Sequence, residues 1–308
     1  MSQAFVFPGQ GSQSVGMLNA FAAEQSIIQE TFTEASELLG FDLWDLVANG
    51  PEVVLNQTDK TQPVMLAAGV AVWRAFKAAN GSDPAFMAGH SLGEYTALVC
   101  AGAMRFEDAL PLGVNRGRYM QQAVPEGTGA MAAILGLEDD QVRQVCDKAA
   151  EGEVLQPVNF NTPGQVVVAG NKGAVERALA VAQDAGAKKA ILLPVSVPSH
   201  CDLMLPAADK LAAELATIEI MAPKIPVIHN ADVTRYDDPD KIRDALKRQL
   251  YSPVRWVETI QYMTQQGVDE IVECGPGKVL AGLNKRIDRR MPAVPLVDQA
   301  ALEKLLAS

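Results

Sequence analysis

The residues best suited to chemistry lie in Gly89-His90-Ser91-Leu92-Gly93, a G-x-S-x-G motif. The apolar run 85–88 before it fits a buried strand, and residues 94–101 after it fit a helix ending near Gly102. Strand, tight turn and helix form the setting of a nucleophile elbow, in which the serine hydroxyl stands exposed at a helix N-terminus. The free N–H groups of such a helix end can stabilise an oxyanion. The motif therefore predicts that Ser91 is a nucleophile.

A serine hydroxyl needs a base, usually a histidine, within hydrogen-bonding reach. The chain has three histidines, at positions 90, 200 and 229. Adjacent side chains diverge at a sharp elbow, so we expect His90 to brace the turn. His200 lies in a loop after Pro198, and His229 ends a predicted strand, so the residues alone leave both open as the base.

The sequence does not identify the residue that orients this base. In α/β-hydrolases the base histidine lies in a late loop, after an acidic residue. More than one hundred residues follow His200, which disfavours an ordinary esterase. A backbone or side-chain carbonyl can fix the tautomer and angle of the imidazole in place of a carboxylate.

Two glycine-rich loops and one arginine pair are further candidates for binding. The loop after the first predicted strand carries Gly9-Gln10-Gly11, but the next glycine, Gly16, breaks the dinucleotide spacing. Gln10 could still present its amide and its N–H to a ligand beyond the strand end. Of Arg116 and Arg118, which cannot share one helix face, one could bind an anionic substrate, although solvated surface is the usual place for arginines.

The elements around these residues predict an α/β protein with a hydrolase-like parallel sheet. Strands are predicted at 4–7, 85–88, 225–229 and 269–274, and helices are predicted at 17–39, 62–79, 106–123, 205–216 and 240–250. Pro111 marks a kink or a later start in the third of these helices. We expect residues 1–126 and 197–308 to form this main domain.

Residues 127–196 have an order of their own. Strands at 130–135, 154–160, 165–169 and 190–195 alternate with helices at 138–150 and 174–185, which gives the β-α-β-β-α-β order of a ferredoxin-like fold. Pro157 is expected to confine the second strand to an edge or to shorten it. Gly127-Thr128-Gly129 resembles a hinge into this inserted subdomain.

Composition limits the classes of function. The 308 residues are 48% hydrophobic and 20% charged, with a net charge of −11, which argues against nonspecific binding of nucleic acid. No apolar run is long enough to span a membrane, and four cysteines without metal-ligand spacing fit a reducing compartment. We therefore expect a soluble, cytoplasmic protein with no membrane or nucleic-acid partner and no metal.

Taken together, these motifs resemble the malonyl-CoA:acyl-carrier-protein transacylases of bacterial fatty-acid synthesis. The similarity extends over essentially the whole chain, and the joint occurrence of the motifs in this order is highly specific. The matching stretches are Phe7-Pro8-Gly9-Gln10-Gly11-Ser12-Gln13, Gly89-His90-Ser91-Leu92-Gly93-Glu94, Arg116-Gly117, Asn159-Phe160-Asn161, Val197-Pro198-Ser199-His200 and Gly275-Pro276-Gly277.

The resemblance implies a role for each matching residue. Ser91 would attack the malonyl thioester, with His200 as general base and the main-chain carbonyl of Gln249 orienting it. The backbone N–H groups of Gln10 and Leu92 would form the oxyanion hole, and Arg116 would pair with the malonyl carboxylate.

The resemblance also implies substrates and partners. Malonyl-CoA would be the donor and acyl carrier protein the acceptor, with no cofactor. The acidic carrier protein would need a local basic patch, for which the candidates are Lys188, Lys189, Lys285, Arg286, Arg289 and Arg290. Ser199 stands where polyketide relatives that select malonyl often carry an aromatic residue, so exclusion of methylmalonyl is not implied.

Three other classes of function compete with this interpretation. A serine esterase or thioesterase would share Ser91 and His200 but would lose its ester to water and tolerate Arg116→Ala. A noncatalytic binding module would keep its function after Ser91→Ala. A dinucleotide enzyme is disfavoured by the glycine spacing.

Overall fold

The computed structural model describes residues 2–195 and 197–307, which form two units, each built around its own sheet. The strands are β1 (Gln3–Phe7), β2 (Phe86–Gly89), β3 (Gly129–Leu135), β4 (Leu155–Thr162), β5 (Gln165–Asn171), β6 (Lys189–Leu192), β7 (Val227–Ile228), β8 (Glu270–Cys274) and β9 (Ala293–Leu296). The helices are α1 (Asn19–Glu24), α2 (Ser26–Leu39), α3 (Leu43–Asn49), α4 (Glu52–Leu55), α5 (Thr58–Ala78), α6 (Gly93–Cys100), α7 (Phe106–Ala123), α8 (Asp139–Ala150), α9 (Lys172–Asp184), α10 (Leu205–Leu215), α11 (Pro239–Gln249), α12 (Trp256–Gln265), α13 (Val279–Ile287) and α14 (Gln299–Leu306).

The larger unit is organised around a five-stranded parallel sheet with the order β7-β2-β1-β8-β9. Side chains of β1 alternate between the two faces of this sheet. Phe5 and Phe7 pack into one core with helices α2, α5, α6 and α7, whereas Ala4 and Val6 pack into a second core with α12 and α13. Helices therefore cover both faces, as expected for a parallel sheet.

The smaller unit is a four-stranded antiparallel sheet with the order β4-β5-β3-β6. Ala132 and Ile134 of β3 point into a core with α8 and α9, and the alternate residues Met131 and Ala133 point to the opposite face. That opposite face packs against Cys201 of the larger unit. The α/β fold class, with a ferredoxin-like β-α-β-β-α-β subdomain inserted in a parallel-sheet domain, is confirmed.

The two units are joined by backbone hydrogen bonds as well as by the chain itself. Val254 donates its N–H to the Val158 carbonyl at 2.8 Å, and its carbonyl accepts from the Phe160 N–H at 3.0 Å. On the opposite side, a Cβ on Gly129 would lie 2.6 Å from the Pro198 ring, so the segments entering and leaving the small unit touch. The predicted domain limits Met1, Ser196 and Ser308 lie outside the described residues, and the limits stay a prediction.

Several elements differ in extent from the sequence-based expectation, and proline accounts for two of the differences. The predicted strand 225–229 is reduced to β7 because Pro226 has no N–H for the ladder, and β6 ends at Leu192, two residues before Pro194. The predicted helix 17–39 is interrupted at Gln25, whose backbone is extended. Helix α7 runs continuously through Pro111.

Other differences come from contacts that periodicity does not record. Helix α5 begins four residues before the predicted position 62, with the N–H groups of Lys60 and Thr61 bonded to the Gln57 carbonyl. The elements α4, α12, β9 and α14 are not predicted by the sequence patterns. No helix in the described part of the chain is long and apolar enough to cross a membrane.

Candidate active site

Ser91 occupies a strained elbow between β2 and α6. Its φ of 53° lies in the left-handed region, which non-glycine residues rarely adopt. The two glycines of the motif are required by close packing, because a Cβ on Gly89 would lie 1.8 Å from the Gly93 carbonyl carbon. A Cβ on Gly93 would lie 2.0 Å from the Phe7 carbonyl oxygen of β1. The elbow therefore sits directly against the end of the central strand.

His200 lies beside the Ser91 hydroxyl. The distance from His200 Nε2 to Ser91 Oγ is 2.8 Å, and His200 Nδ1 donates to the main-chain oxygen of Gln249 at 2.7 Å. Because Nδ1 carries the proton, Nε2 is free to accept the serine proton. The Gln249 carbonyl thus occupies the position that an acidic residue takes in a triad.

The imidazole of His200 is held in its neutral form. His200 is 3% exposed, and this burial, followed by the nearby Arg116 guanidinium, lowers its pKa to about 3. The imidazole is therefore neutral near pH 7 and available to accept a proton. The backbone of His200 is also strained, with a φ of 66°, and its N–H is bonded to the Leu250 carbonyl at 3.0 Å.

Arg116 is a buried cation next to the serine. It is 1% exposed, and its Nη2 donates to Ser91 Oγ at 3.2 Å and to Gln249 Oε1 at 3.0 Å. Its Nη1 donates to Gln62 Oε1 at 2.8 Å. No counter-carboxylate contacts the guanidinium among the described residues. Such a buried cation, bonded to neutral groups, is suited to an anionic ligand.

The position of Arg116 follows from the packing of α7 on α5. A Cβ on Gly117 would lie 2.9 Å from the Asp59 Cα and from the Thr58 carbonyl oxygen. Only glycine allows this approach, which brings α7 close enough for Arg116 to reach the elbow. Arg118, two residues later, is exposed.

The loop after β1, which carries Gln10, contacts the elbow, which carries Leu92. A Cβ on Gly9 would lie 2.4 Å from the His90 carbonyl oxygen and 3.7 Å from Leu92 N. Within residues 2–195 and 197–307, neither the Gln10 N–H nor the Leu92 N–H donates a hydrogen bond. Two free N–H groups at the mouth of a strained elbow are suited to bind an oxyanion.

A cavity of about 230 Å³ lies over the serine, between the two units. The larger unit supplies most of its polar groups, and the smaller unit supplies apolar walls together with two asparagines. The lining of the smaller unit and its exit segment comprises Met131, Asn159, Asn161, Val167, Leu193 and Val195. The lining of the larger unit includes Gln10, Gln62, Ser91, Arg116, Ser199 and His200.

The structure brings together Ser91, His200, Arg116 and Gln249, but it separates the other two histidines from the serine hydroxyl. His229 Nδ1 donates to Glu94 Oε1 at 2.7 Å in the protein interior, so the geometry contradicts its candidacy as base. His90 faces the small unit, with its Nε2 2.8 Å from Asn161 Oδ1, which agrees with the expected bracing of the turn.

Sequence reasoning assigned no role to Gln62, Glu94 or Asn230. Glu94 stands next to the motif, but nothing in the spacing of the chain shows that its carboxyl group turns inward. Gln62 lies in an otherwise apolar helix and Asn230 follows a short strand, and both are ordinary amides.

Within the described chain, no group of three or more His, Cys, Asp or Glu side chains could hold a metal ion.

The parallel sheet, the elbow serine and its histidine define a serine acyltransfer class of fold and site. The family model that matches residues 4–297 is described as an acyl transferase domain. A malonyl CoA-acyl carrier protein transacylase of Salmonella typhimurium is 58% identical over 303 residues, 98% of each chain. The solved malonyl CoA-acyl carrier protein transacylase of Coxiella burnetii is 52% identical, with a TM-score of 0.99 over 100% of this chain and 97% of that one.

A further solved structure shows a malonyl-transacylase in complex with its type II PKS acyl-carrier protein. It is 53% identical to this chain, with a TM-score of 0.99, and the match covers 100% of this chain and 99% of that one. The chain belongs to the acyl transferase family and, within it, to the malonyl CoA-acyl carrier protein transacylases.

Proposed function

We propose that the chain transfers a malonyl group from coenzyme A to the phosphopantetheine thiol of acyl carrier protein through a malonyl ester on Ser91. The observation that carries this proposal is the position of Ser91 Oγ, which lies 2.8 Å from His200 Nε2 and 3.2 Å from Arg116 Nη2. One hydroxyl thus contacts both a neutral base and a buried cation. A short acyl group with a terminal carboxylate, once attached to that hydroxyl, would keep its charge near the guanidinium.

In the first half of the reaction, His200 Nε2 takes the proton of Ser91 as Oγ attacks the thioester carbonyl. Negative charge then develops on the carbonyl oxygen, where the N–H groups of Gln10 and Leu92 stabilise it. Each such donor contributes about 10²- to 10³-fold in rate. Collapse of the tetrahedral intermediate breaks the C–S bond, and His200 returns the proton to the departing coenzyme A thiolate.

The second half repeats these steps with another thiol. The phosphopantetheine thiol gives its proton to His200, and its sulfur attacks the ester carbonyl. Ser91 Oγ leaves and recovers the proton from His200, so the enzyme returns to its starting state. Gln249 keeps the imidazole oriented through the 2.7 Å bond to Nδ1 in both halves. Malonyl-CoA is a substrate here, and no cofactor takes part.

The ester must survive until the carrier protein arrives. The apolar walls supplied by Met131, Val167 and Leu193 support this part of the proposal, because they limit the access of water to the ester. The carrier protein would approach through exposed basic side chains. The six candidates, all exposed, are Lys188, Lys189, Lys285, Arg286, Arg289 and Arg290.

The proposal includes a cytoplasmic location and no nucleic-acid partner. All four cysteines are free thiols, which suits a reducing compartment. The net charge of −11 disfavours binding to the phosphate backbone.

Intact-protein mass spectrometry after brief mixing with malonyl-CoA tests the proposed function. We expect a malonyl-sized adduct on the wild type and on Ser82→Ala, which replaces an exposed serine, and none on Ser91→Ala. Addition of phosphopantetheine-loaded carrier protein should discharge the adduct, whereas buffer alone should not. Absence of an adduct, or equal loss to water and to carrier protein, would favour a hydrolase or a binding module instead.

A further inference from the structure

Glu94 is a fully buried carboxyl group directly beneath the elbow, and the mechanism above does not use it. It lies in the first turn of α6, at 0% exposure. Three N–H groups donate to its two oxygens: His229 Nδ1 at 2.7 Å, the backbone N–H of Asn230 at 2.9 Å and Gln249 Nε2 at 2.9 Å. These donors come from the segment after β7 and from the end of α11. Glu94 therefore links three separate parts of the chain.

The first of these links holds the serine backbone. Asn230 Oδ1 accepts from the Ser91 N–H at 2.8 Å, and its Nδ2 donates to the Gly89 carbonyl at 2.7 Å. Both bonds hold the backbone on the N-terminal side of the strained residue, on either side of His90. Because the backbone N–H of Asn230 donates to Glu94, the position of the carboxyl group determines the position of Asn230 relative to the elbow.

The second link reaches the base. Gln249 Nε2 donates to both Glu94 Oε2 and the Ser91 carbonyl, the latter at 2.9 Å. The main-chain oxygen of the same residue orients His200. A shift of Gln249 would therefore move the imidazole relative to the serine hydroxyl.

We infer that Glu94 is a positioning residue for the Ser91–His200 pair, and that His229 is the partner that holds its carboxyl group in place. The inference rests on the proposed function, because it assigns Glu94 to the acylation of Ser91. Glu94 touches no reacting atom and acts through Gln249 and Asn230. His229 Nε2 has no partner within the described residues, so the contact that the imidazole makes in this network is its bond to Glu94.

A merely structural carboxyl group would affect stability without acting through His200, and a double-mutant cycle separates the two roles. Two residues that act through one group give non-additive effects, whereas independent residues multiply. We expect Glu94→Gln to lower the maximal rate of Ser91 acylation by at least about tenfold, with the half-saturating malonyl-CoA concentration changed by less than about threefold. In the His200→Ala background, the same substitution should change the rate by less than about twofold.

The matched control is Glu273→Gln. Glu273 is a second carboxyl group at 0% exposure, and it accepts from the backbone N–H groups of Leu280 and Ala281 at the start of α13. We expect this variant to acylate within about twofold of the wild type. Acylation is measured by rapid quench and mass spectrometry, and the folding of each variant is checked by its thermal midpoint.

The outcomes distinguish a failure of the inference from a failure of the proposed function. A tenfold loss that disappears in the His200→Ala background supports the inference. A rate within about twofold of the wild type, or a loss of equal size in both backgrounds, overturns it while leaving the proposed function intact. A wild type that forms no ester overturns the proposed function and the inference together.

If Glu94→Gln does not fold, a second pair of variants decides. His229→Ala removes one of the three donors, and we expect a loss of at least about threefold in acylation. His229→Gln restores an N–H near Glu94 Oε1 and should recover to within about twofold of the wild type. Equal rates for the two variants would overturn the inference.

Discussion

The two units of this chain differ most in what their interiors contain. The core of the small unit, between its sheet and helices α8 and α9, consists of alanine, valine and a few larger apolar residues. The larger unit buries Glu94, Arg116, His200, His229 and Gln249 around one elbow. A buried polar group is costly unless it is paired, and these side chains are paired chiefly with one another. Chemistry is thus concentrated in one unit, while the other supplies a wall.

Backbone strain divides between the units in the same way. Ser91 and His200, the two residues proposed to exchange a proton, both have a positive φ. Within the described part of the small unit, the non-glycine residue with a positive φ is Glu151, at the end of a helix. Strain at the serine and the histidine is maintained by the surrounding hydrogen bonds, as is common at functional sites.

The largest expected effect comes from the base in the larger unit. His200→Ala should lower the rate of Ser91 acylation by at least about 10²-fold, because no other imidazole of the described residues is hydrogen-bonded to the serine hydroxyl. Rapid-quench acylation with malonyl-CoA measures this rate. A greater loss in His229→Ala than in His200→Ala would contradict the assignment of the base.

The same variant tests whether His200 is buried in its neutral form. Its folded pKa of about 3 lies below the unfolded value of 6.5, so the unfolded chain binds more protons between these two values. The free energy of unfolding must then fall as the pH drops below about 6.5. Between pH 7 and pH 5 this group contributes a loss of about 2 kcal/mol. Urea titrations should show a loss smaller by that amount in His200→Ala, and an equal loss in both proteins would contradict the burial argument.

The next effect concerns selection of the acyl group. Arg116→Ala should lower malonyl transfer by about 10- to 100-fold, the range expected for hydrogen bonds to a charged group. Acetyl transfer has no carboxylate to lose and should change by less than about threefold. Transfer from both thioesters to carrier protein is measured side by side. Arg118→Ala, an exposed arginine on the same helix, serves as the control, and equal losses of both transfers in Arg116→Ala would assign the arginine a structural role.

The smallest effect comes from the small unit. Asn161→Ala removes the partner of His90, a side-chain hydrogen bond between the small unit and the elbow. We expect acylation to fall by no more than about tenfold, because an ordinary hydrogen bond contributes about 0.5–1.5 kcal/mol. The rate is measured in the same rapid-quench assay. A loss as large as that of His200→Ala would mean that the small unit takes part in the chemistry.

The sequence predicts the elements of the small unit well, because each element packs against residues that are close to it in the sequence. The apolar run of β3 and the periodicity of α8 and α9 reflect packing within sixty residues. The parallel sheet is harder to predict, since β7 has two residues and β9 follows a short loop. The sequence predicts an extended segment at 225–229 but not its length, and for β9 the neighbouring strand β8, and not the local residues, decides that the segment is extended.

The site shows the same contrast. Ser91 is marked by its own flanking glycines, and composition restricts the base to three histidines. No local pattern distinguishes His200 from His229, because the choice depends on which loop folds back over the elbow. The family resemblance assigns the roles of Arg116 and Gln249, which the surrounding residues do not. Glu94 could not be placed, since an acidic residue in the first turn of a helix is most often solvated.

The parallel sheet also affects the order in which the parts of a nascent chain can fold. Residues Gln3 and Glu270, neighbours across β1 and β8, lie 267 positions apart. During synthesis on the ribosome, β1 can pair with β2 early, but it can pair with β8 only when almost the entire polypeptide has emerged. The inserted unit, by contrast, can fold as soon as residue 192 is free. The serine precedes the glutamine that steadies its histidine by 158 residues. A chain that ends before Gln249 therefore lacks the main-chain oxygen that accepts from His200 Nδ1.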